Sequence, residues 1–171
     1  MRSKIALAFD RCRQEKRPAL ITYTVAGDNT QTNSLKILNK ISKYADILEL
    51  GFPHNTPIAD GGQIQGSSHR ALANGIKLID VFKIVKKFKK NNPQKPLILM
   101  GYFNLVFQMG ENNFLRKCKN SGVDGCILVD LPYPENKRFA DKCKKKSINF
   151  IQLISPTTSK NRMKKIIKDS H

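Results

Sequence analysis

Five short apolar runs punctuate this chain, at Ala19 to Val25, Asp46 to Leu50, Pro96 to Met100, Gly125 to Val129 and Asn149 to Ile154. Each ends in a turn signal, such as Ala26-Gly27-Asp28-Asn29 or Gly51-Phe52-Pro53, and polar residues follow. Helical apolar spacing fills the intervals, near 31–43, 63–73, 78–90, 111–121, 134–146 and 158–168, with one further pattern near 2–13. Continuous apolar strands are buried on both faces. Strands that alternate with helices pair in parallel, because a helical crossover is long enough to return the chain to the same edge. The sequence therefore predicts an α/β fold built on a covered parallel sheet. No linker, low-complexity tract or repeat divides the 171 residues, which are read as one domain with a real core. Units of this spacing fit either a doubly wound sheet or part of a (β/α)8 barrel. No strand-like run leads into G-x-G-x-x-G or a Walker A loop, so the nucleotide-binding warrant for the first is missing. Gly61-Gly62 alone is an ordinary loop pair.

The charge balance invites a different reading. Lys and Arg number 31 against 13 Asp and Glu, a formal net charge of +18, which could mean nucleic acid or an anionic surface. The lysines, however, sit where helix exteriors belong. In the segment 78–90, Leu78, Val81, Phe82, Val85 and Phe88 form one apolar stripe, and Lys83, Lys86, Lys87 and Lys90 fill the other side. Lys142, Lys144, Lys145 and Lys146 end another helical pattern, where cations suit the helix dipole. No basic-aromatic interleaving of the nucleic-acid-reading kind is present, so no nucleic-acid partner is expected. No apolar run approaches the roughly 20 residues that span a bilayer, and the stretch from Met1 to Asp10 is too short in apolar residues to be read as a signal peptide. Cys12, Cys118, Cys126 and Cys143 show no metal-like spacing with the three histidines. They are read as reduced thiols of a cytoplasmic protein, with no metal site.

Polar residues that could do chemistry gather at or just beyond the carboxyl ends of the strand-like runs: Asp28, Glu49, Asp60, Tyr102, Asp130 and Thr157. In parallel α/β folds that edge is where ligands bind. Glu49 is the most telling of them, a carboxylate inside the apolar run Ile47-Leu48-Glu49-Leu50-Gly51. Desolvation disfavours its charged form and moves its pKa toward neutrality, where it can both give and take a proton. Asp60 follows in the polar loop Ile58-Ala59-Asp60-Gly61-Gly62. Two carboxylates in unlike surroundings form an acid/base pattern, although buried acids are also kept for structure.

The run Glu49-Leu50-Gly51-Phe52-Pro53, followed by Pro57-Ile58-Ala59-Asp60-Gly61 and Ile64-Gln65, resembles the tryptophan synthase alpha chain family. The resemblance extends in order through Tyr23, Ala26-Gly27-Asp28, Arg70-Ala71-Leu72, Gly75, Met100-Gly101-Tyr102-Phe103-Asn104, Gly122-Val123-Asp124-Gly125, Val129-Asp130-Leu131-Pro132 and Ser155-Pro156-Thr157-Thr158. It implies a (β/α)8 TIM barrel, of which roughly the first five βα units are present. It implies a lyase that splits indole-3-glycerol phosphate into indole and glyceraldehyde 3-phosphate by retro-aldol chemistry. No metal or organic cofactor is implied in this chain. By the match, Glu49 is the acid/base and Asp60 the carboxylate that stabilises positive charge at the indole N–H. Tyr23, Met100, Tyr102, Ile127 and Val129 match substrate-facing positions, with barrel core as the competing reading of Ile127. Asp130 is read as a loop hydrogen-bonding residue or a substrate contact, and Thr157 and Thr158 as a cap of the next helix.

The resemblance also implies a beta chain partner in an alpha2beta2 complex, a pyridoxal-phosphate enzyme that receives the indole. The expected partner face carries Pro53, Thr56, Pro57 and Asn104. Here the chain departs from the family pattern. His54-Asn55-Thr56 stands where Phe-Ser-Asp is common, so Thr56 lacks the charge expected to meet a beta-chain lysine. Gly62 replaces a usual proline and should loosen the loop. Five strands against the eight of a closed barrel suggest an incomplete domain, the N-terminal two-thirds of such a chain, with the phosphate-binding loops beyond it and little activity alone. The alternatives are a non-catalytic docking partner of the beta chain and an inactive fragment.

Overall fold

All five strands lie in one sheet, in the order in which they occur in the chain, and every adjacent pair is parallel. The computed structural model describes residues 2–170. The strands are β1 Ile21–Val25, β2 Ile47–Gly51, β3 Leu97–Gly101, β4 Gly125–Leu128 and β5 Asn149–Ile151. The helices are α1 Lys4–Gln14, α2 Gln31–Ile41, α3 Gly62–Ala73, α4 Leu78–Asn91, α5 Phe103–Met109, α6 Glu111–Ser121, α7 Lys137–Lys145 and α8 Lys160–Asp169. Right-handed crossovers that always step to the next position wind their helices onto one face of the sheet. A doubly wound sheet would reverse its strand order partway. The order β1-β2-β3-β4-β5 is therefore the arc of a (β/α)8 barrel, five βα units long.

The register sorts side chains into two layers. Leu48 and Leu50 of β2, Leu97 and Leu99 of β3, Cys126 and Leu128 of β4 and Phe150 of β5 face the helices and belong to the larger core. There Phe114 links Phe52, Phe82 and Phe139 at ring-centroid distances of 6.1, 5.7 and 6.4 Å. The inner face carries a second cluster, Ile47, Ile98 and Ile127, onto which Ile5 and Ala8 of α1 pack. Helix α1 thus closes the amino-terminal end of the barrel arc. The stripe read in the sequence is the buried side of α4, where Val81, Phe82, Val85 and Phe88 are all buried and Lys83, Lys86, Lys87 and Lys90 are exposed.

Two ion clusters, each built on one buried charge, tie this end together. Asp46 accepts hydrogen bonds from Arg17 at 2.7 and 2.8 Å, from the Leu20 N–H at 2.8 Å and from Arg11 of α1 at 2.7 Å. The Arg17 guanidinium, foremost among these, holds the Asp46 carboxyl far below the usual carboxylate range. On the other side Asp124 pairs with Lys89 and accepts from the Leu97 N–H at 2.9 Å, while Lys89 also donates to the Lys95 carbonyl at 2.6 Å. Lys89 is 8% exposed, and burial lowers its ammonium pKa against the pull of Asp124. The apolar stripe of α4 gave no hint of this buried lysine.

Element ends shift by one to three residues from the sequence reading at several places, and a few of the differences have a clear physical cause. Helix α5 lies where only a turn was expected; it is a seven-residue helix with Val106 alone buried, too short to show helical periodicity. Strand β5 ends at Ile151 rather than at 154, because it pairs on one side only, with β4, and the chain then turns into a hydroxyl network in which Ser155 N–H donates to Thr158 Oγ1 at 3.0 Å. Thr157 and Thr158 therefore do not cap α8. Ser159 does, accepting from the Arg162 N–H at 3.3 Å. All four cysteines are buried free thiols, with the sulfurs of Cys126 and Cys143 3.9 Å apart. Among the described residues no helix is long and apolar enough to cross a membrane.

Removing one member of a buried pair strands the other charge. Asp124→Ala should cost about 3–5 kcal/mol of stability in urea unfolding, whereas Lys89→Met, which leaves Asp124 with the Leu97 N–H and the nearby Lys4, should cost markedly less.

Candidate active site

The inner face of β2 carries Ile47, Glu49 and Gly51 in succession. Across the ladder Glu49 stands opposite Tyr23 on β1 and Ile98 on β3, and Gly51 stands opposite Met100. Ile47 below Glu49 is fully buried under α1, whereas Glu49 is half-buried at the rim of that packed layer. Burial pushes the Glu49 carboxyl above the ordinary range, and no opposing interaction of comparable size brings it back.

Gly51 is required by its neighbour. A Cβ there would overlap the hydroxyl of Tyr23, which reaches across the strand to fill that space. The Tyr23 phenol is pushed well above its usual range, first by burial and then by the charges of Asp60, Tyr102 and Glu49. Those four side chains therefore share one electrostatic neighbourhood, although they come from β1, β2, the loop after β2 and the end of β3.

Asp60 is delivered by the turn that leads into α3. Its N–H donates to the Pro57 carbonyl at 3.0 Å, and its own carbonyl accepts from the Gln65 side chain at 2.9 Å. Tyr102 holds the turn from the other side. Its hydroxyl donates to Asp60 Oδ2 at 3.1 Å and accepts from the Ala59 N–H at 3.0 Å. Asp60 also immediately precedes Gly61, the N-cap of α3, where the helix dipole favours a carboxylate. The Tyr102 ring is buried, and beside it on the chain the Phe52 ring packs against Gly101, where any Cβ would collide with it.

The expected site residues fall into groups. Tyr23, Glu49, Asp60 and Tyr102 come together as described. Met100 and Ile127 are neighbours on the inner face; Ile127 is buried with Ile5 and Ala8, whereas Met100 is only partly buried. Val129 follows β4, its N–H bonded to the Gly101 carbonyl at 3.0 Å, and is half-buried. Asp130 accepts from the Phe103 N–H at 2.6 Å and so anchors the start of α5. Asp28 is occupied by Arg70, which grips both of its oxygens at 2.8 Å and lowers its pKa. On the expected partner face Thr56 and Asn104 are exposed and Pro53 and Pro57 are buried; Ile58 and Phe107 are exposed beside them. The sequence marks His54 only as a departure from the family pattern on the expected partner face; in the structure its ring stacks on Tyr102 at 4.8 Å. A lone loop histidine carries no signal of that kind.

Chemically, the site offers a partly desolvated carboxyl able to move a proton and a second carboxylate fixed by a tyrosine, with apolar and aromatic walls between them. Such a site suits acid/base work on a flat, largely apolar molecule. Comparisons with known proteins point the same way. A profile described as tryptophan synthase alpha chain matches residues 9–171. The tryptophan synthase alpha chain of Pelagibacter ubique (strain HTCC1062) is 69% identical over 169 residues, which is 99% of this chain and 64% of that one. Tryptophan synthase subunit alpha from Legionella pneumophila str. Paris superposes with a TM-score of 0.96 at 35% identity, over 99% of this chain and 65% of that one. A chain of the tryptophan synthase α2β2 complex from the hyperthermophile Pyrococcus furiosus gives a TM-score of 0.86 at 41% identity, over 89% of this chain and 64% of that one. This chain thus spans 64% of the length of its Pelagibacter relative. Matched from residue 9 to its last residue in sequence and over almost all of its length in structure, the chain belongs to the tryptophan synthase alpha chain family.

Proposed function

We propose that these residues form the acid/base half of a cytoplasmic lyase that cleaves indole-3-glycerol phosphate to indole and glyceraldehyde 3-phosphate, in the N-terminal two-thirds of a TIM-barrel alpha chain. The observation that carries the reading is the raised pKa of Glu49 at the rim of the inner face, beside an Asp60 that Tyr102 holds in place. Cleavage requires a proton at the ring carbon that bears the side chain and removal of one from the adjacent side-chain hydroxyl. The carbon–carbon bond then breaks, its electrons return to the indole ring and the hydroxyl carbon becomes the aldehyde. A carboxyl with raised pKa is protonated often enough to give the first proton and basic enough to take the second, which assigns both transfers to Glu49. Protonation of the ring places positive charge on the indole nitrogen side. Asp60, with Tyr102 on Oδ2 and the α3 N-terminus behind it, is a fixed anion that stabilises this charge without reorganising. Tyr23 and Met100, with Val129 at the strand ends, would bound the ring, and Ile127 would support it from below.

No metal or cofactor enters this chemistry. Pyridoxal phosphate belongs, on this reading, to a beta chain partner that docks on the exposed face around Thr56, Ile58 and Asn104 and receives the indole. Pro53 and Pro57, being buried, would shape that face rather than touch the partner. Thr56 offers the partner a hydroxyl and no charge.

The test places this chain in a full-length context by substituting it for the matched residues of the Pelagibacter relative. The chimera should release indole from indole-3-glycerol phosphate. Glu49→Gln should lower kcat by about 10²–10⁴-fold with KM little changed. Indole release that survives Glu49→Gln would abandon the catalytic reading for a docking-only role.

The same carboxyl makes a stability prediction in the chain itself. The folded-state pKa of Glu49 lies above its unfolded value, so its contribution is fully present below the unfolded pKa and is lost as pH rises through the folded one. Glu49→Gln should therefore raise Tm at pH 7 to 8. The gain should vanish as the pH falls to about 3, below the unfolded value, where the glutamate is protonated in both states. Thermal unfolding followed by circular dichroism across that range measures it.

A further inference from the structure

Between Pro53 and Gly61 the chain has few ways to hold its shape. Asn55, Thr56, Ile58 and Ala59 are exposed, and apolar anchoring comes from Pro53 and Pro57 alone. Yet this segment must present Asp60 at one place. Two contacts of His54 supply what is missing. Its ring stacks on Tyr102 with centroids 4.8 Å apart and planes inclined by 28°. Its Nδ1 accepts the Thr56 N–H at 3.0 Å, closing the turn that precedes Pro57. Tyr102, against which it lies, holds Ala59 and Asp60 at once through its hydroxyl.

We propose that His54 is a positioning residue for Asp60. It fixes the plane of the Tyr102 ring from the open side and the path of the loop through Nδ1, so that the Tyr102 hydroxyl meets Asp60 Oδ2 in one geometry. The inference rests on the acid/base reading of the site but concerns a residue that touches neither carboxylate. Nδ1 accepts a hydrogen bond only in the neutral imidazole with the proton on Nε2. A proton on Nδ1 points at the Thr56 N–H and opens the turn. The ionisable groups facing the imidazole are the Tyr102 phenol directly, with Asp60 on the same loop and Asp130 after β4 beyond that ring. The bond therefore requires one tautomer of the neutral ring, a requirement that an ordinary aromatic ring at position 54 would not impose.

Two measurements test it. In the 171-residue chain, which has only three histidines, nitrogen-15 NMR should show neutral His54 protonated on Nε2, and the Thr56 amide resonance should move as the imidazole titrates. An Nδ1-protonated tautomer, or a Thr56 amide that ignores the titration, would overturn the proposal whether or not the chain is a lyase. In the chimera described above, His54→Ala should lower kcat about tenfold with KM changed less than about twofold, since a small misplacement of a charge-stabilising group acts on the transition state. His54→Phe, which keeps the stack but lacks the Nδ1 acceptor, should recover kcat only in part. Unchanged kcat in His54→Ala, or a His54→Phe at either the His54→Ala level or the unsubstituted level, would equally overturn it. A chimera with no indole release at all would count against the lyase reading, leaving the NMR result to decide the role of His54.

Discussion

Everything at the site depends on the register of β2. In a parallel strand successive residues face opposite sides, and here both sides are apolar, with Leu48 and Leu50 under the helices and Ile47 facing α1. The inner positions then run Ile47, Glu49, Gly51, from a sealed layer to a half-open rim to a space that Tyr23 fills. A slip of one residue would bury Glu49 among the leucines beneath the helices, where its charge would have no water and no partner. The packing of the whole sheet therefore enforces the placement of one carboxyl. Its raised pKa is a consequence of where the layers leave it rather than of a special partner.

Asp60 is positioned by a different logic, in which loop residues are bolted onto strand ends. Phe52 packs against Gly101, Tyr102 reaches back to Ala59 and Asp60, and Asp130 ties the start of α5 to the end of β4. Three successive βα connections are thus cross-linked above the sheet. Glycine at 51 and 101 is what lets two aromatic rings approach the backbone closely enough to do this. The hydroxyl of Tyr102 donates to Asp60 and accepts from Ala59, so one side chain holds the loop at two successive residues.

The strands and most helices were legible because period and composition agreed with burial. The apolar run from Ile47 to Gly51 is a strand in both readings, and the stripe from Leu78 to Phe88 is the buried face of α4. Helix α5 was not legible, since Phe103 to Met109, with only Asn104 and Gln108 polar, is too short to display a face. The cap at Ser159 was hidden among four hydroxyl residues in a row of five, Ser155-Pro156-Thr157-Thr158-Ser159, any of which could serve by type. At the site, Glu49 stood out as an acid in an apolar run. The bond from Tyr102 to Asp60 and the stack of His54 on Tyr102 join residues more than 40 positions apart and leave no trace in local sequence.

The excess of positive charge finds its structural meaning in how the few acids are spent. Asp46, Asp124, Glu111, Asp28, Asp80, Asp10 and Glu15 each lie within ion-pair distance of an arginine or lysine. These pairs hold α1 to the sheet, α4 to β4 through Asp124, and α7 to α6, or brace single helices and turns. Among the described residues, Glu49 and Asp60 belong to no such pair. In a chain with 31 lysines and arginines that separation is a constraint in itself. A cation within about 4–6 Å would favour the charged form of Glu49 and cancel the effect of its burial. The raised pKa of Glu49 therefore depends on two conditions at once: a half-sealed position on the inner face and the confinement of the basic residues to helix exteriors and to the amino-terminal end of the barrel arc.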